Sequence, residues 1–199
     1  MSANDVIVLN ANFETWSEQR ADGLKDVDPW HYYCIEQFVK QYDLDDEELQ
    51  YGVTDKGNDG GADAIYILLN QRQPVSEDTD VDPRNVSQIR VVFVQVKRSG
   101  GFKPTEIEKW IQLSDDFFDL SKSADSFGER YNDRVVRMMR IWKEKFLKWS
   151  GSFPKITIDY IYITGADETP SAYAQDSGDR VKSRTTAHVE ADVNIEFVG

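Results

Sequence analysis

Two apolar runs, at residues 64–69 and 90–97, constrain most strongly what this 199-residue chain can fold into. The first reads Ala-Ile-Tyr-Ile-Leu-Leu and the second Arg-Val-Val-Phe-Val-Gln-Val-Lys. Both are rich in β-branched and aromatic residues and short enough to be buried strands. Alternate side chains of a strand share a face, so Gln95 and Lys97 point one way and Val94 and Val96 the other. The segment Gly57-Asn58-Asp59-Gly60-Gly61-Ala62-Asp63 is a glycine-rich turn that delivers Asp63 to the mouth of the first run. If the two runs pair antiparallel, Asp63 comes level with Gln95 and Lys97.

Singly, each feature is ordinary. Asn-Asp-Gly-Gly is most often a turn, and Gln-x-Lys is a common exposed strand face. Their order changes the reading, because a lysine ending so apolar a run is costly unless something receives its charge. The Asp63 carboxylate and the Gln95 side-chain oxygen are hard donors of the kind that hold Mg²⁺. Lys97 beside them can orient an attacking water or neutralise phosphate charge. A cation at such a place activates water and stabilises a leaving oxygen, which is the chemistry of phosphodiester hydrolysis.

Gly60-Gly61-Ala62-Asp63-Ala64-Ile65-Tyr66 followed by Val94-Gln95-Val96-Lys97 resembles the PD-(D/E)XK nuclease superfamily, in particular its Mrr-like branch, where Gln replaces an acidic residue. The wording is closest to the N-terminal domain of the abortive-infection phage-resistance (AIPR) family, with Ala62 where that family usually has Ile. The resemblance runs loosely from about Trp30 to the C-terminus, and its specific part is the two motifs. It implies an α/β, restriction-endonuclease-like core, a central mixed sheet flanked by helices. It implies metal-dependent cleavage of nucleic acid, and the expectation is a Mg²⁺- or Mn²⁺-dependent endonuclease acting in anti-phage defence, with DNA favoured over RNA but the sequence not separating the two. Asp63, Gln95 and the main-chain oxygen of Val96 would hold the metal, and Lys97 would orient or help deprotonate the water. Glu36, on the first strong helix, is an additional candidate ligand. A homodimer and a larger C-terminal remainder, which would make this chain an N-terminal domain, are further expectations of the resemblance. Gln carries no charge, so metal affinity is expected to be weaker than with Glu, or to depend on bound DNA.

Composition bounds these readings. At 40% hydrophobic and 30% charged, the chain suits one globular domain over 1–199, with 1–27 as an N-terminal extension and 71–88 as a solvated acidic loop. No run approaches the ~18 apolar residues of a membrane span, and no signal peptide is visible, so no membrane partner and a cytoplasmic location are expected. Cys34 reads as a small buried hydrophobe. One cysteine and two histidines argue against a structural zinc site, and His31 and His188 fall in no catalytic pattern, so a histidine-based mechanism is not expected. The glycine segment lacks the Gly-Lys-Ser/Thr ending of a nucleotide-binding loop.

The net charge of −13 argues against a simple nucleic-acid binder, which usually carries a basic footprint. Two local exceptions stand out. Arg130, Arg134, Arg137, Lys145 and Lys148 fall on one side of a long helix, and Lys97, Arg98 and Lys103 cluster near the proposed pocket. The acidity and the neutral Gln95 also allow an alternative of another class, a catalytically inactive nuclease-fold module for recognition or oligomerisation.

The remaining elements follow from periodicity. Residues 6–9 suggest a short edge strand, and Phe13 and Trp16 a small helix. Asp28-Pro29 reads as a helix start, and residues 45–49 as a further helical turn. Asp59 is a second candidate acidic ligand after Glu36 but is expected rather to brace the glycine turn through its own backbone, and Asp55 is a weaker candidate ligand again. Thr105-x-x-Glu108 matches a capping box ahead of a crossover helix. A long helix is expected over 128–149, a strand over 156–164, a final helix opening near Thr169-Pro170, and a last strand over 193–198.

Overall fold

In the computed structural model, which describes residues 3–20, 24 and 27–199, a five-stranded mixed sheet carries helices on both faces. The strands are β1 (Ala64–Leu69), β2 (Gln73–Pro74), β3 (Gln88–Lys97), β4 (Lys155–Thr164) and β5 (Asp192–Val198). Their order across the sheet is β2-β1-β3-β4-β5. β1 is antiparallel to β2 and β3, whereas β3–β4 and β4–β5 are parallel pairs. Parallel neighbours need long crossovers. α4 (Pro104–Phe118) and α5 (Asp133–Trp149) supply the first, and α6 (Ala172–His188) supplies the second.

The period-2 pattern of the strands builds two cores. Ile65, Ile67, Val91, Phe93, Ile158 and Tyr160 face α4, α5 and α6, where Trp110, Phe117, Met139 and Trp142 are fully buried. Ala64, Tyr66, Val92, Val94, Val96 and Ile161 face the other way, onto α2 (Pro29–Val39) and the short α3 (Asp46–Gly52). Every residue of β1 is buried, as expected of a strand covered on both faces. Cys34 is buried in the second core, and burial first, then the charge of Asp28, pushes its thiol up to about 12.

Several expectations need correction. Residues 6–9 form no strand; they lie within α1 (Ala3–Arg20). The helix is held by tertiary contacts that outweigh local β preference. Phe13 meets the Trp30 ring edge-on at 5.0 Å, and Trp16 packs on Tyr32 and Tyr33. The Thr105–Glu108 capping box does not form: Lys103 occupies the cap position with no side-chain bond, and Pro104 opens α4. The long helix begins at Asp133, not at 128, because Asn132 caps it by accepting from Arg134 N and Val135 N. The acidic segment 71–88 is not wholly a solvated loop, since Val75 and Val86 are buried in the first core and the Trp149 indole donates to Val81 O. Among the described residues, no helix is long and apolar enough to cross a membrane.

Candidate functional site

The β1–β3 register sets the geometry. Ala64 pairs with Val94, so the residue before β1 falls beside the end of β3. Asp63 Oδ2 accepts from Gln95 Nε2 at 2.9 Å and from Val96 N at 2.6 Å. Asp63 and Gln95 are both buried, at 2% and 1% exposure. Lys97 emerges on the Gln95 face, half-buried, with Nζ 3.8 Å from Glu106 Oε2 on α4. Asp63 and Gln95 therefore meet, and Lys97 stands two residues further along the same face of β3.

The turn that delivers Asp63 is braced from several sides. Asn58, Gly57, Gly60 and Gly61 all adopt positive φ. At Gly61 (φ +83°) a Cβ would lie 3.0 Å from Lys109 Cβ and 3.1 Å from Gln95 Oε1, so glycine is needed for conformation and for space. Asp59 Oδ1 accepts from Gly61 N at 2.7 Å, the bracing role expected of it. The Trp110 indole donates to Gly61 O. Asn132 Nδ2 donates to Thr54 O and Gly57 O at 2.9 and 2.8 Å. Asp55 N donates back to Asp63 O at 3.0 Å, which folds the two acidic residues together.

That fold-back assembles residues the sequence kept apart. His31, in the first turn of α2, places Nδ1 2.9 Å from Asp55 Oδ2 and 3.8 Å from Asp63 Oδ1. The His31, Asp55 and Asp63 donor atoms all lie within 4.8 Å of one another. The expectation that histidine stands apart from the site is thus overturned for His31. Asp28 brings this about: its side chain caps α2 by accepting from Trp30 N and His31 N. That cap was legible as Asp28-Pro29, but nothing local pairs it with Asp55. His188 lies elsewhere, 3.0 Å from Asp115.

Glu36 is not in this group. It lies about 140° around α2 from His31 at 3.6 residues per turn. It receives the Trp16 indole and the Arg20 guanidinium, and Arg20 also reaches Asp46 at 2.9 Å. Val96 contributes its N–H to Asp63, a contact distinct from the main-chain oxygen expected there.

Electrostatics distinguish the acids. Burial pushes Asp63 up to about 6 against the pull of His31 and the Val96 N–H, and the charges of Asp59 and Asp55 add to the rise. Burial also raises Asp59. Asp55 is held below its usual value, because the His31 hydrogen bond and charge, the Asp28 N–H and the charge of Lys97 outweigh its burial. Burial works to lower His31, but the Asp55 hydrogen bond and the charges of Asp63, Asp55 and Asp28 prevail and raise it. Beside these acids, Gln95 Oε1 is buried without a hydrogen-bond partner. A buried carbonyl with no donor is costly, and two carboxylates, an imidazole and an orphan amide oxygen are a donor set that fits a divalent cation.

The cations expected to meet nucleic acid are largely engaged within the chain. Arg130 precedes α5 and pairs with buried Asp116. Arg137 stacks 4.2 Å over the Tyr51 ring and donates to Tyr51 O. Lys145 is buried and donates to Glu77 O at 2.6 Å, and Lys148 pairs with Asp80. Lys145 and Lys148 thus fasten the acidic segment, and Arg134, half-buried, has no such bond among the described contacts. Arg98 lies 5.5 and 5.4 Å from the centres of the Phe13 and Trp30 rings. Lys103 folds over Gly100, where a Cβ would come within 2.9 Å of its Cε. Glu106, missed in the sequence, is the carboxylate that the charges of Lys109, Lys97 and Lys103 hold below its usual value despite its burial.

Comparison with protein-family models, with curated proteins and with solved structures finds no match to this chain.

Proposed function

We propose that this protein is a metal-dependent endonuclease that hydrolyses phosphodiester bonds in DNA, built on a restriction-endonuclease-like variant of its α/β fold and acting in anti-phage defence. The observation that carries the reading is the convergence of buried Asp63 and Gln95 with half-buried Lys97 at the adjoining ends of β1 and β3. Asp63 and Gln95 would hold a Mg²⁺ or Mn²⁺ ion. Such an ion supplies Lewis acidity to a phosphoryl oxygen and to water.

The chain's own groups have separate tasks. Asp63 is pinned by the Val96 N–H, which fixes the carboxylate direction. Gln95 orients it from the neighbouring strand. Lys97 Nζ sits where it can hydrogen-bond a phosphate oxygen or an attacking water, with Glu106 setting its position from α4. Trp110 and Asn132 keep the glycine turn from drifting, and a displacement of about 1 Å at such a site costs on the order of 100-fold in rate.

A second reading, a nuclease-fold module without catalysis, draws on the net charge of −13 and on the internal pairing of the α5 cations. Incubation of supercoiled plasmid and of single-stranded RNA with the purified chain and Mg²⁺ or Mn²⁺ separates the two. Plasmid nicking that is lost in Asp63→Ala supports the enzyme. Intact plasmid with both metals supports the module.

A further inference from the structure

The acid pair has a histidine partner whose use the Asp63–Gln95–Lys97 reading leaves open. His31 Nδ1, one Asp55 oxygen and one Asp63 oxygen lie within 4.8 Å of one another. Donors on one ion at metal–ligand distances of about 2.0–2.2 Å are separated by roughly 3–4.5 Å. The 3.8 Å spacing of His31 Nδ1 from Asp63 falls inside that range, and the 2.9 Å spacing from Asp55, a hydrogen bond in this structure, lies at its lower edge. The three come from α2, the segment just before the glycine turn and the mouth of β1, and each is held in place. Asp28 caps the helix that carries His31, Asp55 N is bonded to Asp63 O, and Val96 N holds Asp63.

A second, independent observation points to a ligand. Gln95 is 1% exposed, its Nε2 lies 2.9 Å from Asp63 Oδ2, and its Oε1 has no partner. In this structure Oε1 lies on the Gly61 side, and rotation of the amide by half a turn gives up the Nε2–Asp63 bond and brings the oxygen to the carboxylate. There it would face a carboxylate oxygen, an arrangement that is favourable only with a cation between them.

We propose that His31, Asp55 and Asp63 form a one-nitrogen, two-carboxylate site for a first-row transition-metal ion, with Gln95 Oε1 as a neutral fourth donor. The nitrogen sets the selectivity. Imidazole suits Fe²⁺, Ni²⁺ and Zn²⁺, and Mn²⁺, though an oxygen-seeking ion, accepts one nitrogen more readily than Mg²⁺, which prefers an all-oxygen shell and keeps its waters. The ion's charge would be matched by Asp55 and Asp63, leaving Lys97 and Glu106 as a separate pair. The inference rests on the metal-dependent reading for the use of the ion, but not for its binding.

The test is a titration of the full chain, stripped with chelator, with Mn²⁺ alone and Mg²⁺ alone, followed by calorimetry and by the loss of the free Mn²⁺ paramagnetic resonance signal. One Mn²⁺ per chain is expected, bound at least about tenfold more tightly than Mg²⁺. His31→Gln should weaken Mn²⁺ about tenfold or more and change Mg²⁺ by less than about threefold. Spin-echo modulation of the bound Mn²⁺ in the wild type should show coupling to one imidazole nitrogen, a readout that needs no variant to fold. Absence of that coupling with Mn²⁺ bound, or no binding of Mn²⁺, overturns the site. Nitrogen-coupled Mn²⁺ without DNA cleavage overturns the nuclease reading and leaves the site standing. Cleavage without nitrogen coupling does the reverse.

Discussion

Gln95 donates its amide N–H to Asp63 and keeps its own carbonyl oxygen buried and unpaired. The neutral residue thereby steadies a buried carboxylate while a second acid would repel it. Gln95→Glu should separate these effects. Two carboxylates about 3 Å apart resist joint ionisation, so the chelator-treated variant should melt several degrees below wild type at pH 8. Added Mn²⁺ should raise its melting temperature by more than it raises that of wild type, because the ion gains a charged ligand. Equal metal-induced shifts in the two proteins would argue against Gln95 adjoining the ion.

Asp63 makes stability depend on pH in a definite direction. Its folded pKa of about 6 lies above the ordinary 3.8. The folded state therefore binds the proton more tightly than the unfolded chain. The stabilisation this group contributes is full below about pH 3.8 and is lost as pH rises through about 6. At pH 8 the ionised form works against folding by on the order of 3 kcal/mol. Asp63→Asn in chelator should melt higher than wild type at pH 8, and the gap should narrow from pH 8 to pH 5. A variant less stable than wild type at pH 8 would contradict the burial argument.

Much of this arrangement was legible in residue types alone. The strands at 64–69 and 90–97, their antiparallel pairing and the convergence of Asp63 with Gln95 follow from period-2 patterning and a turn ahead of the first strand. The bracing role of Asp59 followed from turn chemistry. The contact of His31 with Asp55 did not announce itself, because 24 residues separate the two and it depends on how α2 docks on the sheet. Glu36 misled for the complementary reason: it lies on the right helix but the wrong side, and α1, misread in part as a strand, supplies its partners. The cation stripe held only in part: Arg134, Arg137, Lys145 and Lys148 lie on α5, but Arg130 precedes it and Lys145 is buried. The stripe's occupants, Glu77 and Asp80, arrive from a segment that reads as solvated until Val75 and Val86 are seen in the core.

The two turn glycines should differ. Gly57→Ala meets nothing within 4 Å and bears only the strain of its φ of +69°, about 1 kcal/mol. Gly61→Ala combines a φ of +83° with contacts at 3.0 and 3.1 Å, and should cost about 2–3 kcal/mol. Urea unfolding reports both, with slopes unchanged. Equal midpoints for the two variants would show that the space around Gly61 is not limiting.

Asn132 ties the helix cap to the site. It accepts two N–H groups of α5 and donates to Thr54 O and Gly57 O. Asn132→Asp keeps the acceptor and loses the donors; Asn132→Ala loses both. The expected order of stability is wild type, Asp, Ala, with Asn132→Ala lower by about 2–3 kcal/mol. Mn²⁺ affinity should fall in both variants, because the 54–63 turn that carries Asp55 is released. Unchanged affinity would mean that the turn holds its shape without Asn132.

The central claim is that Lys97 acts on a phosphodiester held at the Asp63 site. The direct measurement is single-turnover cleavage of plasmid DNA at saturating Mn²⁺ by wild type and Lys97→Ala, with Mn²⁺ affinity measured on the same preparations. Lys97 carries no metal, so affinity should change by less than about threefold while the cleavage rate falls by about 100-fold or more. Cleavage by Lys97→Ala at the wild-type rate, or by neither protein with the metal bound, would contradict the account.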